Sequence, residues 1–298
     1  MVCAHVEPEG DTACGALALS MLLNRLGKKS VVICQDNMPR QLNFLKMKWN
    51  KPESFRGWKS IDTIVTVDAP SRSRIGRVFN YVPEDARVIN IDHHISNEFF
   101  GDINYVDVKS AACGEVIYDI FKFFGKKPTR REAELMYVAV ITDTGSFKYS
   151  NTSQRTHQIA RDLMGCGVDV GKLSDSFYSS YTTRQLQLYG KLLSSMQVNK
   201  QKKVAWVQVA QNVFKQTQTT RDDLVGFVDF LKYLSDVNMV YLVAEVKPSL
   251  CKVSFRAKGS VNVSKIASVF GGGGHAKAAG CSFNGKPEAF VKHVNGIL

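Results

Sequence analysis

The chain has 298 residues, 44% of them apolar, enough to bury a sizeable core and to divide into two domains. It carries 39 Lys and Arg against 27 Asp and Glu, a formal charge of +12 with histidine neutral. No apolar run approaches the ~20 residues that cross a bilayer, and the opening Met1-Val2-Cys3-Ala4-His5 has no basic leader, so neither a membrane protein nor a secreted one is expected.

Seven cysteines, an odd number without C-x-x-C spacing, suit buried thiols in a reducing cytoplasm better than a disulfide framework or zinc knuckle. The basic excess favours a phosphate-bearing partner. Its clusters (Arg72/Arg74/Arg77, Lys126/Lys127/Arg130/Arg131 and Lys200/Lys202/Lys203) are not interleaved with aromatics like a long single-strand track.

In chain order, strands are predicted at 2–6, 31–34, 63–67 and 87–91. Helices are predicted at 13–26, 115–124, 131–141 and 154–164. Strands separated by helices imply an α/β fold with a doubly wound, mainly parallel sheet. A polar helical stretch near 174–188 reads as a connector. Strands at 204–209, 239–246 and 252–256, with helices at 222–234 and 263–270, form a smaller C-terminal α/β domain with a mixed sheet. The expected division is 1–178 for a metal-binding catalytic domain, 179–195 for a helical connector and 196–298 for a substrate-binding domain. The active site is expected in the cleft between the domains.

The chemistry gathers at strand ends. Val88-Ile89-Asn90-Ile91 runs directly into Asp92-His93-His94, at the carboxyl edge where open α/β sheets place ligands. The first strand leads into His5-Val6-Glu7-Pro8-Glu9-Gly10-Asp11, the third into Asp68, and the helix at 131–141 into Asp143. Asp11 alone could equally be an N-cap. Two imidazoles with several carboxylates suit two divalent ions of the manganese or magnesium type better than zinc. Such a pair neutralises phosphoryl charge in an in-line displacement.

These motifs resemble the DHH-superfamily phosphoesterases that carry a DHH-associated C-terminal domain, the architecture of NrnA-type nanoRNases. The signatures are His5 to Asp11, Val67-Asp68, Asp92-His93-His94 and Asp143-Thr144-Gly145. The C-terminal signature is Ser254-Phe255-Arg256, then Gly271-Gly272-Gly273-Gly274-His275 and Ala278-Ala279-Gly280. They occur in family order across essentially the whole chain.

The resemblance implies that His5 and Glu9 hold one ion, Asp11 and His93 the other, and that Asp68 and Asp143 bridge both, with manganese the expected metal. It implies that His94 contacts the scissile phosphate and that Asp92 orients an imidazole ligand. Arg256 and His275 would hold the substrate's terminal phosphate beside the Gly271–Gly274 backbone. The implied partners are short RNA oligonucleotides or linear dinucleotides, split to nucleoside 5′-monophosphates, with 3′-phosphoadenosine 5′-phosphate as a further substrate. Long duplex DNA and membranes are not expected partners, and a homodimer is left open. The alternatives are a RecJ-like single-strand exonuclease and a non-catalytic nucleotide-binding protein. Two departures stand out: Glu9 replaces the family's usual Asp, and only four residues precede His5.

Overall fold

The computed structural model describes residues 1–178 and 181–297. The chain forms two compact units, Met1–Ser180 and Tyr181–Leu298. The first contains β1 (Val2–Ala4), α1 (Gly10–Arg25), β2 (Val32–Ile33), β3 (Thr63–Val67), β4 (Arg87–Asp92) and β5 (Ile103–Val106). The helices α2 (Cys113–Phe123), α3 (Arg130–Asp143), α4 (Gln154–Met164) and α5 (Val170–Tyr178) follow.

Its five strands are all parallel, in the order β2-β1-β3-β4-β5. The order reverses direction between β1 and β3, so the carboxyl ends of these two neighbours open the crevice where such sheets bind ligands. His5 follows one strand and Asp68 the other. The central strands read as continuous β-branched runs because a parallel sheet is covered on both faces. On one face β1, β3 and α1 to α3 share a core that includes Ala4, Val67, Leu17, Ile117 and Val138. On the other, Cys3 and Ile64 pack against Ile75 and Val78. Those two residues belong to a 3-10 segment, Arg72–Asn80, so this face is covered by turns rather than by α-helices.

Two helix starts are set by side chains: Thr129 with Glu132 forms a capping box for α3, and Ser153 with Thr156 does so for α4. The edge strand β5 has no apolar run to betray it; it alternates exposed and half-buried residues in Ile103-Asn104-Tyr105-Val106.

The second unit contains α6 (Thr183–Ser194), β6 (Gln197–Asn199), β7 (Val204–Val209), α7 (Gln211–Thr217), α8 (Phe227–Leu231), β8 (Met239–Lys247) and β9 (Leu250–Ala257). It ends with α9 (Val263–Val269), β10 (Gly273–His275), β11 (Ala278–Asn284) and α10 (Pro287–Ile297). The mixed sheet runs β10-β11-β9-β8-β7-β6, with only β7 and β8 parallel. Residues 179 and 180, which open the expected connector, lie outside the described residues. The helix that follows, α6, packs Leu188, Tyr189 and Leu192 into the core of the second unit. The helix expected over 222–234 is instead a 3-10 turn, Arg221–Leu224, followed by α8. Val225 is extended and Gly226, with φ of 86°, adopts the left-handed conformation that breaks the run.

The mixed sheet is covered unequally. Phe255, Val253 and Ala279 face α9 and α10 on one side. On the other, α6 and α8 cover Val240 and Leu242 of β8. Lys252, Ser254 and Arg256 of β9 alternate with buried residues and remain half-buried on that second side. Among the described residues no helix is long and apolar enough to cross a membrane. All seven cysteines are free.

Gly114 shows how closely the first unit is packed. A Cβ there would stand 2.7 Å from Ala139 Cβ and 3.0 Å from the Met136 carbonyl oxygen. Gly114→Ala should therefore cost ~1–3 kcal/mol through overpacking between α2 and α3, read as a lower urea midpoint. An unchanged midpoint would show that the two helices separate freely.

Candidate metal centre and substrate face

Local backbone geometry aims the first cluster. Asp68 follows β3 with φ of 61°, an uncommon left-handed conformation for a non-glycine residue. Its amide donates to the Ile91 carbonyl at 2.9 Å, which continues the β3–β4 ladder by one bond. The carboxylate is 3% exposed, and Oδ1 has no hydrogen-bond partner. Around it, His5 Nε2 lies 3.5 Å from Oδ2, His93 Nε2 3.4 Å from Oδ1, and His94 Nδ1 3.6 Å from Oδ1.

His93 is the hub. Its Nδ1 sits 3.1 Å from the Ser110 carbonyl, so that nitrogen carries the proton and donates. Nε2 then faces Asp11, Asp68 and Asp143 at 3.7, 3.4 and 3.5 Å. His5 is turned in the same manner, with Nδ1 2.7 Å from the Val6 carbonyl and Nε2 toward Asp68. This is the outer-contact pattern that fixes an imidazole tautomer for a metal.

Asp11 is not the N-cap of α1. The cap position belongs to Glu9, and Asp11 lies in the first turn. Its two oxygens accept from the Cys113 and Gly114 amides at 2.6 and 2.9 Å, so Asp11 caps α2 from across the fold. The neighbouring Gly10 lets α1 approach α3: a Cβ there would meet Thr142 Cγ2 at 2.3 Å. The Glu9 side chain is exposed and falls in no close cluster with the other ligand types among the described residues, although its charge is felt at Asp143.

The electrostatics are those of concentrated negative charge. Burial, then the charges of Asp68 and Asp143, push the Asp11 carboxyl well above its ordinary range. Asp143 is pushed up to about 7, chiefly by burial. Burial also opposes ionisation of Asp68, but hydrogen bonds and charge from His5 and His93 win and hold it below the usual range. Burial works against a charged His93, yet the surrounding carboxylates raise it to about 11. A buried carboxylate oxygen without a partner, three crowded carboxylates and two tautomer-fixed imidazoles fit divalent cations.

His94 plays a different part. Its Nδ1 is 2.7 Å from Asp92 Oδ1. Asp92 therefore orients His94, not His93. Asp92 Oδ2 accepts from Asn97 Nδ2 at 2.5 Å, Asn97 Nδ2 also reaches Asn90 Oδ1 at 2.8 Å, and Asn90 Nδ2 donates to Thr66 Oγ1 at 3.0 Å. This buried polar chain fixes the face that His94 presents.

In the second unit the cross-strand register sets His275 opposite Ala278 and Ala278 opposite Arg256. Two basic residues nineteen positions apart in sequence thus share one row on one sheet face, with a small residue between them. Arg256 is held in a fork by Asp229 of α8, Nε to Oδ1 at 2.7 Å and Nη2 to Oδ2 at 3.1 Å. The glycine run divides by role. Gly272 and Gly274 are demanded by packing, since a Cβ would meet the Gly280 carbonyl oxygen at 2.2 Å and the Ala278 carbonyl oxygen at 2.6 Å. Gly271 has φ of 69°. A Cβ on Gly273 would meet nothing within 4 Å.

Residues 1–140 match the DHH family, N-terminal domain, and residues 201–298 match the DHHA1 domain. The chain carries a DHH-family N-terminal domain and a DHHA1 domain. It is 29% identical over 287 residues to a Thermus thermophilus protein named bifunctional oligoribonuclease and PAP phosphatase NrnA, covering 95% of this chain and 84% of that one. It is 25% identical over 289 residues to the Bacillus subtilis protein of the same name, covering 96% and 89%. The crystal structure of an exopolyphosphatase-related protein from Bacteroides fragilis superposes with a TM-score of 0.93 at 25% identity, over 99% of this chain and 89% of that one.

Several residues that shape this DHH-family site carry no local signal. Asn90 and Asn97 look like ordinary strand and turn residues. Arg155 donates to the Ser110 hydroxyl at 3.0 Å and so braces the loop whose carbonyl fixes His93. Arg74 Nη2 stands 3.1 Å from His5 Nδ1, placing one member of a basic cluster beside the site. Asp229 is one acid in an otherwise apolar helix. Only the Asn97 position, close behind Asp92-His93-His94, offered a clue by proximity.

A testable consequence follows from the protons. An ion that takes His93 Nε2, Asp11 and Asp143 must displace the protons they hold, so binding strengthens as pH rises. Calorimetric manganese titrations in buffers of different ionisation enthalpy should show more proton release at about pH 6, where Asp143 is also protonated, than at about pH 8. No release at either pH would mean that the ion bypasses these groups.

Proposed function

We propose that the protein is a metal-dependent phosphodiesterase that splits very short oligoribonucleotides or linear dinucleotides to nucleoside 5′-monophosphates. Removal of the 3′-phosphate of 3′-phosphoadenosine 5′-phosphate is a second reaction proposed for the same site. The observation that carries this reading is the buried Asp68 carboxylate, with an unpartnered oxygen, among three imidazoles at the carboxyl edge of β3.

In this reading His5, Glu9, Asp11, His93, Asp68 and Asp143 would hold two divalent ions, manganese in kind. The ions, when bound, supply charge neutralisation and a lowered water pKa for phosphoryl transfer to water. The protein's own groups do the positioning. His94 is raised in pKa by its hydrogen bond to Asp92 and the charge of Asp68, against the opposing effect of burial, so it can bring a proton to a non-bridging phosphate oxygen. The Asn97–Asn90–Thr66 chain keeps Asp92, and through it His94, in that orientation.

Substrate length is assigned to the second unit. Arg256 and His275, in one row over the open sheet face, would hold a terminal phosphate, with Gly273 admitting the nucleotide. Names of relatives agree in class: the Thermus thermophilus and Bacillus subtilis proteins are named for oligoribonuclease and PAP phosphatase activities.

The deciding measurement is a manganese-supplemented panel of dinucleotide, pentanucleotide, long single strand, pyrophosphate and 3′-phosphoadenosine 5′-phosphate. The dinucleotide should lead in kcat/KM; equal rates on dinucleotide and long strand would instead support the RecJ-like reading. Asp68→Asn should remove several kcal/mol of charge stabilisation, about a thousandfold in rate, while the protein stays folded. Arg256→Ala should slow dinucleotide turnover by about tenfold or more, the scale of a lost charge-assisted contact, and leave a small generic phosphodiester nearly untouched. Equal losses on both substrates would remove Arg256 from length selection.

A further inference from the structure

Cys113 opens α2 at the floor of the metal cluster and is fully buried. Its Sγ, an oxygen of Asp11 and an oxygen of Asp68 all lie within 4.8 Å of one another. Among the described residues the thiol makes one hydrogen bond, a long one of 3.8 Å to the Ile91 carbonyl. The Asp68 carboxylate is buried, and its Oδ1 accepts no hydrogen bond from the described residues although two imidazoles stand near it. His93 Nε2 contacts both of these carboxylates, at 3.7 and 3.4 Å. One sulfur and two carboxylate oxygens therefore surround one small space.

We propose that Cys113 is a sulfur donor to a divalent ion held by Asp11 and Asp68, and that it makes this position favour thiophilic ions such as zinc, cobalt or cadmium. The inference rests on the metal-centre reading above and extends it to a ligand outside the family's signatures. Donor atoms around a four-coordinate ion of this type stand about 3.5 Å apart, given metal–oxygen bonds near 2.1 Å and metal–sulfur bonds near 2.3 Å. A contraction of about 1 Å from the observed limit of 4.8 Å is enough to reach that spacing. As the metal–sulfur bond forms, the S–H proton leaves to solvent, and no atom changes oxidation state. Oxygen-rich centres favour manganese and magnesium, whereas one thiolate shifts preference toward softer ions.

Cobalt provides a direct optical test in the whole protein. Loading with Co2+ should produce a near-ultraviolet thiolate-to-cobalt charge-transfer band. Cys113→Ser should lose that band while still binding cobalt, and its cadmium affinity should fall by about tenfold or more. X-ray absorption at the zinc edge of the wild-type protein should show a sulfur neighbour at about 2.3 Å, which decides the matter even if the serine variant fails to fold. Cobalt bound without the band, a band that survives in Cys113→Ser, or a zinc shell of nitrogen and oxygen alone would overturn the assignment and leave the metal centre standing. Absence of any ion binding in the wild-type protein would overturn both.

Discussion

Crowded negative charge at one edge of a parallel sheet is the constraint around which the first unit is organised. Asp11, Asp68 and Asp143 come from three different elements and meet at His93 Nε2. Like-charged carboxylates in a buried site cannot all ionise without counter-charge. The fold answers with imidazoles, helix amides and shifted protonation. The Asp11 carboxylate rests on the first amides of α2, Asp68 is stabilised by His5 and His93, and Asp143 retains a proton up to about neutral pH. A bound cation relieves the same stress in one step, which is why the geometry reads as a metal centre although its groups are tolerable without one.

The second unit leaves part of a sheet uncovered, and the proposed substrate contact lies there. α9 and α10 close one face, whereas on the other α6 and α8 pack on β7 and β8, and α8 reaches β9 through the Asp229–Arg256 pair. The exposed part offers Arg256, His275 and backbone with small side chains. Asp229 keeps the Arg256 guanidinium extended in a defined plane, which limits the rotamer entropy lost when an anion arrives. The same carboxylate competes for the guanidinium, so the pairing sets both the direction and the strength of that contact.

Much of this was legible in the sequence where chemistry and periodicity coincide. Asp92-His93-His94 at the end of a β-branched run, and Asp68 at the end of Thr63–Val67, announced both a strand and a site. What was hidden depends on distances across the fold. The sequence left Asp11 open between a cap of its own helix and a metal ligand, whereas its carboxylate reaches 102 positions along the chain to Cys113. Asp92 serves His94 rather than His93, a choice fixed by the turn after β4 and not by spacing. Cys113 looked like one more core thiol until α2 was placed against Asp68. The edge strands β5 and β10 escaped because an edge needs no apolar pattern, and the break at Gly226 escaped because the residues around it remain helical in period.

The double duty of Asp11 bears on how genetic evidence from such sites should be read. A carboxylate that caps a helix while facing a metal cluster cannot be neutralised without also uncovering two peptide amides at the start of α2, and a loss of activity there mixes architecture with chemistry. Asp68 and Asp143 accept no backbone amides through their side chains in the described hydrogen bonds, so their removal speaks more cleanly. In a dense catalytic core, the most informative residue to alter is the one that the scaffold needs least.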